Sequence, residues 1–407
     1  QRAAQRGVRV RLLLDDNNTR GMDDVLAALD AEDNIEIRLF NPFPHRKVRA
    51  LGYLTDFPRL NRRMHNKSLT ADNQYTIVGG RNIGDEYFNV TTDIGFADLD
   101  VLAKGEVAED VSRDFDRYWA SGSSYPFFSI APRADAENGR LKLHRSRRND
   151  AEIRASYIDE LAASPLAAAI SEGNVPWQYA DARLISDDPA KGLARDKELP
   201  AIADSLLEAL GKPEKDVFIV SPYFVPSKWG MAALRDLTAN NVKVTVLTNS
   251  LRATDVAAVH SGYARYRKDL LNAGVELYEV KPDFAPPKIR DKGLTGSSAT
   301  SLHAKTFVVD GKRVFIGSLN FDPRSARLNT EMGMVIDHAE IAGDMRQELE
   351  KITPQYAYKV VMDKQRKRLR WQDPDRPDVL LKNEPDAGIW KRIISNIFSI
   401  LPIEKLL

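Results

Sequence analysis

The 407-residue chain has no cysteine. Disulfides and thiolate metal sites are therefore impossible, although the absence assigns no compartment. No apolar run approaches the roughly 18 residues of a membrane-spanning helix, and no stretch has the order of a secretory signal peptide. An excess of one charge is missing too. The 59 Lys and Arg stand against 58 Asp and Glu, a net +1, which argues against general nucleic-acid binding and leaves a local patch open. The length suffices for one large or two average domains with a substantial core.

Against these absences stands a repeat. His65-Asn66-Lys67 with Asp72, and His303-Ala304-Lys305 with Asp310, both read H-x-K-x-x-x-x-D. After each aspartate come six residues and then a small-residue turn ending in asparagine: Gly79-Gly80-Arg81-Asn82 and Gly317-Ser318-Leu319-Asn320. Thr92-Asp93 with Gly95 then matches Thr330-Glu331 with Gly333, every pair being offset by 238 residues. Such a repeat indicates a duplicated unit and an active site made from two halves.

In an extended strand, residues i and i+2 share a face, so each histidine can stand beside its lysine. Leu302 to Val309 reads as strand, and Gly311-Lys312 as a hairpin turn into Val314-Phe315-Ile316. That turn returns the asparagine to the histidine end. Lysine and amide donors suit a phosphate, and a neighbouring imidazole can attack phosphorus or move a proton. Two copies provide one imidazole as nucleophile and another as acid, then base. Asp93 follows His65 by 28 residues, as Glu331 follows His303. A carboxylate accepting from one ring nitrogen fixes the tautomer and raises the basicity of the other. His45, His144, His260 and His338 lack this context and are expected to be surface or core histidines.

The pattern resembles the phospholipase D superfamily, whose signature is a duplicated H-x-K-x-x-x-x-D with a G-[GS]-x-N element. Within it the chain is most similar to bacterial cardiolipin synthases of the C type. The stretches that carry this are Asn41-Pro42-Phe43, Met64 to Lys67, Gly79 to Phe88, Ser221 to Pro226 and Leu401 to Glu404. The resemblance covers nearly the whole chain. It implies an α/β fold of two phospholipase D-like α-β-α sandwich repeats with mixed sheets and the active site at their interface. The implied activity is transfer of a phosphatidyl group between phospholipids through a phosphohistidine. The implied lipids are phosphatidylglycerol with phosphatidylglycerol or phosphatidylethanolamine. No metal or other cofactor is implied; the partners are phospholipids and a membrane surface, with no nucleic acid, at the bacterial inner membrane. Carried over residue by residue, His65 resembles the nucleophile and His303 the acid/base. Lys67, Lys305, Asn82 and Asn320 resemble the phosphate-binding set, and Asp93 and Glu331 the histidine orienters. Asp72 and Asp310 complete the motif and are expected to be structural, because a carboxylate would repel phosphate. Gly80 stands where the second copy has Ser318, so a hydroxyl contact is expected only from the second half.

Strands alternating with helices predict α/β layers with a mixed sheet. Val8–Leu14 matches Val242–Leu247, and Ile35–Leu39 matches Val275–Glu279. Helices are expected at Met22–Ala31, Trp229–Asn240 and Gly262–Ala273. The strand Val217–Val220 has no earlier counterpart, so the first repeat is expected to be truncated at its N-terminus. The expected division is 1–175 for the first repeat with a helical connector over 135–180, 176–363 for the second, and 364–407 for a tail. In the tail Lys364, Arg366, Lys367, Arg368 and Arg370 form either a solvated helix face or a contact for anionic lipid. The stretch from Ile389 to Leu401 has helical apolar spacing and is stopped by Pro402. It suits an interfacial helix or one docked on the protein body. The rival functions are a phosphodiesterase or nuclease using water as acceptor, and a non-catalytic membrane scaffold.

Overall fold

The computed structural model describes all residues except 85–86, 89–93, 150, 194–201, 283–298, 364 and 401–407. The first half contributes β1 (Val10–Asp15), β2 (Ile35–Phe40), β3 (Ser68–Ala71), β4 (Tyr75–Gly79), β5 (Ile94–Ala97), β6 (Asp100–Lys104) and β7 (Ser124–Pro126). The second contributes β8 (Asp181–Ser186), β9 (Asp216–Val220), β10 (Lys243–Asn249), β11 (Glu276–Val280), β12 (Ala299–Leu302), β13 (Thr306–Val309), β14 (Arg313–Gly317), β15 (Met332–Asp337), β16 (Ala357–Asp363), β17 (Arg368–Asp373) and β18 (Arg376–Leu381).

Ten of these form one mixed sheet in the order β18-β17-β16-β11-β10-β9-β13-β14-β15-β8. Its middle strands are apolar almost throughout because both faces are covered. Val217 and Ile219 of β9 enter one core layer with Phe307, Phe315 and Val335. Phe218 and Val220 point the other way, into a layer with Val308, Ile316 and Met334. Val78, Val107 and Val111 of the first half join that second layer, so an apolar core ties the halves together.

The first half is built in two pieces, β1-β2-β7 and β3-β4-β6. In the second half β9 lies between β10 and β13 and bonds to both. Among the described residues no strand does this between β1 and β3. Leu69 and Tyr75 on that hairpin are exposed.

The connector is helical at Ala136–Asn149, Ala151–Ala162 and Pro165–Glu172. The helix expected over Gly262–Ala273 is instead two, Ala257–Ala264 and Arg267–Asn272. The basic tail segment is no helix either. Lys364 lies outside the described residues, and Arg368 and Arg370 belong to β17, which extends the large sheet. Alternation along β16 and β17 (Tyr358, Val360 and Trp371 buried) outweighs the charge run. Arg366, Arg368 and Arg370 with Lys268 and Lys382 line a recess of about 480 Å³. The helix Ile389–Ile400 closes the described chain.

Candidate active site

Both H-x-K triplets lie in irregular backbone immediately before β3 and β13, rather than within those strands. The following hairpins turn on the motif aspartates. Asp72 and Asn73 have φ of 53° and 57°, and Asp310 and Gly311 have 55° and 58°. Two successive positive φ values define a type I′ turn, which Asp, Asn and Gly accept most readily. The second turn is thus Asp310-Gly311, one residue earlier than expected. Each aspartate sits at the far end of a four-residue strand, roughly 13 Å along the chain from its histidine's end. Neither belongs to the reacting centre. Asp72 is exposed. Asp310 accepts from the amides of Lys215 (2.7 Å), Asp216 (3.1 Å) and Glu214 (3.1 Å). Burial works to raise its carboxyl, but these amides outweigh it and the net shift is downward. Its role is to secure the entry to β9.

Two parallel contacts cross between the halves and build the site. Met64 bridges Thr330, and β12 pairs with β5 so that Leu302 lies opposite Ala97. The backbone amides continue these pairings: His65 N–H donates to Thr330 O (2.9 Å), and His303 N–H to Ala97 O (2.8 Å). The next side chains then meet. His65 Nδ1 lies 2.7 Å from Glu331 Oε2, and His303 Nδ1 lies 2.6 Å from Asp98 Oδ2. Each imidazole is therefore oriented by a carboxylate of the opposite half.

Asp93 lies outside the described residues. The carboxylate on His303 is Asp98, which the constant offset of 238 missed. Gly79 pairs with Asp100 across β4 and β6, as Gly317 pairs with Gly333 across β14 and β15. Asp98 and Glu331 both stand two residues before those partners. However, 19 residues separate Gly79 from Asp98, and only 14 separate Gly317 from Glu331. The first loop is longer by five residues, so an offset of 238 does not carry Glu331 onto its strand-register counterpart, Asp98. The usable signal was Asp98-Leu99-Asp100, the acidic pair that opens the next strand.

The position before each x-Asn serves the carboxylate. Ser318 Oγ donates to Glu331 Oε2 (2.5 Å) and accepts from Met332 N–H (3.0 Å). The expected substrate contact from Ser318 is replaced by this buttress. At Gly80 a Cβ would lie 2.3 Å from Asp98 Oδ1, so a side chain there would displace the aspartate. Behind these, Asp187 Oδ2 accepts from Glu331 N–H (2.9 Å). Asp15 Oδ2 accepts from Met64 N–H (2.8 Å).

Asn82 and Asn320 differ. The Asn82 amide donates to Tyr87 Oη (2.7 Å), and that hydroxyl lies 3.5 Å from His303 Nε2, its ring edge-on to the imidazole. Tyr87 was not singled out from the sequence. Asn320 Oδ1 is buried with no hydrogen-bond partner, an acceptor that a hydroxyl of a bound group would satisfy. Lys67 Nζ donates to His65 O (2.6 Å), and Lys305 Nζ lies 2.9 Å from His303 Nε2.

Burial and mutual repulsion shape the charges. Desolvation, the largest influence, brings Lys67 down to about 8 and Lys305 to about 7; Lys67 itself lowers Lys305 further. His65 is lowered by burial, against the pull of Glu331. His303 is pushed well below the usual range by burial and then by Lys305, with Lys67 and His65 adding to it. Burial would raise Glu331, but His65, Lys67 and the Ser318 hydroxyl more than reverse it. Asp98 is raised, chiefly by burial. The site thus brings two imidazoles whose protonation is disfavoured between two destabilised ammonium groups, an arrangement that a bound anion would relieve.

The remaining histidines have other duties. His45 and His144 are exposed, and His338 accepts from Ile341 N–H at the start of a helix. His260, Glu279 and Glu384 come close enough to share a cation. Arg267 already fills that space, with Nε 2.8 Å from Glu279 and Nη2 2.8 Å from His260 Nε2.

A family model described as cardiolipin synthase, phospholipase D-like domain, matches residues 1–119 and 206–353. Cardiolipin synthase C of Escherichia coli (strain K12) is 49% identical, over 100% of this chain and 86% of that protein. An uncharacterised protein of Helicobacter pylori (strain ATCC 700392 / 26695) is 34% identical, over 99% of this chain and 80% of its own length. The crystal structure of phosphatidylserine synthase from Haemophilus influenzae Rd KW20 superposes with a TM-score of 0.58 at 13% identity, covering 98% of this chain and 82% of that one. That likeness concerns the fold of paired repeats. With both motif copies meeting in one site and a full-length relative near half identity, the chain belongs to the cardiolipin synthase family of phospholipase D-like proteins.

Proposed function

We propose that the site transfers a phosphatidyl group from one phospholipid to the free alcohol of another at a membrane surface, forming cardiolipin. Phosphatidylglycerol is the acceptor, and phosphatidylglycerol or phosphatidylethanolamine the donor. The observation that carries this reading is the crossed pairing, which aims two imidazoles of opposite halves at one lysine-flanked space.

His65 is the nucleophile. Its Nδ1 is held by Glu331, and no hydrogen-bond partner of Nε2 stands among the described residues. Nε2 bonds to phosphorus while the bond from phosphorus to the leaving alcohol oxygen breaks. His303 gives that oxygen a proton from Nε2, so the alcohol departs neutral. The diester's negative charge between Lys67 and Lys305 offsets the burial and positive field that disfavour protonation of His303. In the second step His303 Nε2 takes the proton of the acceptor hydroxyl. Its oxygen bonds to phosphorus and the bond to His65 breaks. Lys67 and Lys305 hold the phosphoryl oxygens throughout, with the Asn320 amide N–H, not its Oδ1, as a further donor. Asp98 and Glu331 stabilise whichever imidazole carries charge.

The test is product analysis on vesicles with labelled phosphatidylglycerol, combined with acid-quench trapping of the adduct. Cardiolipin with the label on His65 is expected, and His65→Ala abolishes both. Phosphatidic acid as the sole product would make the enzyme a phosphodiesterase, and a label on His303 would reverse the roles. Turnover should persist in EDTA, because Lys67 and Lys305 supply the countercharge at the phosphate. Complete loss restored by one divalent ion would contradict this.

A further inference from the structure

The helix Ile389–Ile400 is built inside out. Ile389, Trp390, Ile393, Ile394 and Ile397 occupy one face, at i, i+1, i+4, i+5 and i+8. They are 69, 74, 41, 45 and 55% exposed. The opposite, polar face is the one that packs on the body. Ser395 is buried, its Oγ 3.0 Å from Ser261 Oγ on the helix Ala257–Ala264. Lys391 Nζ donates to Thr254 O (2.9 Å) and Arg252 O (3.2 Å). Arg392 donates to Glu384 O (3.0 Å), and Arg265 to Phe398 O (3.1 Å). Hydrogen bonds thus hold the helix in place while its apolar stripe stays outside. In water alone that arrangement forfeits the burial that normally docks an amphipathic helix.

Charge indicates what covers the stripe. The helix Ile389–Ile400 contains no acidic residue. Lys391 and Arg392 lie on its inward face, bonded to the body, and Arg252 and Arg265 stand exposed beside it. A large apolar face rimmed by cations is the composition of a segment lying in the headgroup region of anionic lipid. The helix also adjoins the catalytic rim. Asp255, next to the Thr254 that Lys391 holds, accepts from the Tyr223 hydroxyl (2.8 Å). Asp255 is also among the charges acting on Lys305.

We infer that Ile389–Ile400 is a pre-positioned membrane-docking helix, rigidly attached by its polar face, whose apolar stripe enters the surface of an anionic phospholipid bilayer beside the active-site mouth. The inference goes beyond phosphatidyl transfer and rests on that reading only for the orientation of the mouth towards lipid.

The test compares the full chain with Ile393→Asp/Ile397→Asp and with the milder Ile393→Ser/Ile397→Ser. Co-sedimentation is measured with vesicles of phosphatidylglycerol and phosphatidylcholine, and with phosphatidylcholine alone, in the absence of turnover. Failure to bind is therefore separable from failure of the transfer reading. Wild type should favour the anionic vesicles, and the Asp pair should lower partitioning about tenfold or more. Thermal midpoint should change little and hydrolysis of a short-chain soluble substrate not at all, because these side chains are 41 and 55% exposed and lie outside the site. Equal binding by wild type and the Asp pair, or no preference for anionic vesicles, would overturn the inference. So would an earlier melt of both pairs, which would mean that the stripe is packed on the body. A wild-type dimer dissociated by the substitutions, with vesicle binding unaltered, would assign the stripe to a second copy instead.

Discussion

His65 rests on a glutamate backed by the Ser318 hydroxyl, whereas His303 rests on an aspartate lying against the bare backbone of Gly80. The shorter aspartate goes with the glycine, and the longer glutamate with a serine that fills the gap and donates to it. Side-chain exposure follows the same division, at 23% for His65 and 8% for His303. The halves solve one geometric problem with different materials. The less enclosed imidazole is suited to attack, and the more enclosed one, under the Tyr87 hydroxyl, to move protons. The lesson is that equivalence between repeats lies in strand register, not in residue offset.

The largest expected effect tests that register directly. Glu331→Gln and Asp98→Asn should each lower turnover by about 10²–10⁴-fold with little change in lipid binding, since each stabilises an imidazolium formed only during reaction. Asp93→Asn should stay within a few-fold of wild type. A collapse on Asp93→Asn with Asp98→Asn near normal would restore the 238-residue correspondence. Steady-state kinetics on mixed micelles decides it.

Next comes an exchange of the supports. Gly80→Ser places a Cβ 2.3 Å from Asp98 Oδ1, and should cost about 10²-fold in kcat. Ser318→Gly removes one buried hydrogen bond to a carboxylate, about 1.5–3 kcal/mol, or roughly ten- to 150-fold. Equal tolerance of both would mean that the halves are interchangeable after all.

The pH profile separates the lysines. Both are depressed, so each carries its charge below its own value and loses it as pH rises. In the free enzyme Lys305 discharges near 7 and Lys67 near 8. The ratio kcat/KM should therefore fall through that window, while kcat falls at higher pH because bound phosphate favours both ammonium forms. Lys305→Arg, which cannot discharge, should flatten the first part of the decline and lower the maximum. An unchanged alkaline limb would detach Lys305 from it.

The smallest effects concern the motif aspartates. Asp310→Ala leaves three amides before β9 without their acceptor and should destabilise by about 1–3 kcal/mol, read as an earlier melt. Asp72→Ala, at an exposed turn with a φ of 53° that Ala accepts less readily, should cost about 1 kcal/mol. Neither should alter turnover per folded molecule. A kinetic defect without an earlier melt would return these carboxylates to the site.

The sequence by itself determined much of this protein. The duplicated H-x-K-x-x-x-x-D and G-[GS]-x-N established two halves, their reactive histidines and their lysines. Short apolar, β-branched runs located β1, β2, β9, β10 and β11 within a few residues, because burial of at least one strand face leaves a direct compositional trace. Two outcomes depended on tertiary structure. Which carboxylate meets which histidine is set by β5 lying beside β12 and Met64 beside Thr330, pairings between segments more than 200 residues apart that no local pattern encodes. The direction faced by the amphipathic helix Ile389–Ile400 was undetermined for the same reason. Periodicity defines its two faces, but only the carbonyls of Arg252 and Thr254 and the hydroxyl of Ser261 decide that the polar one turns inward.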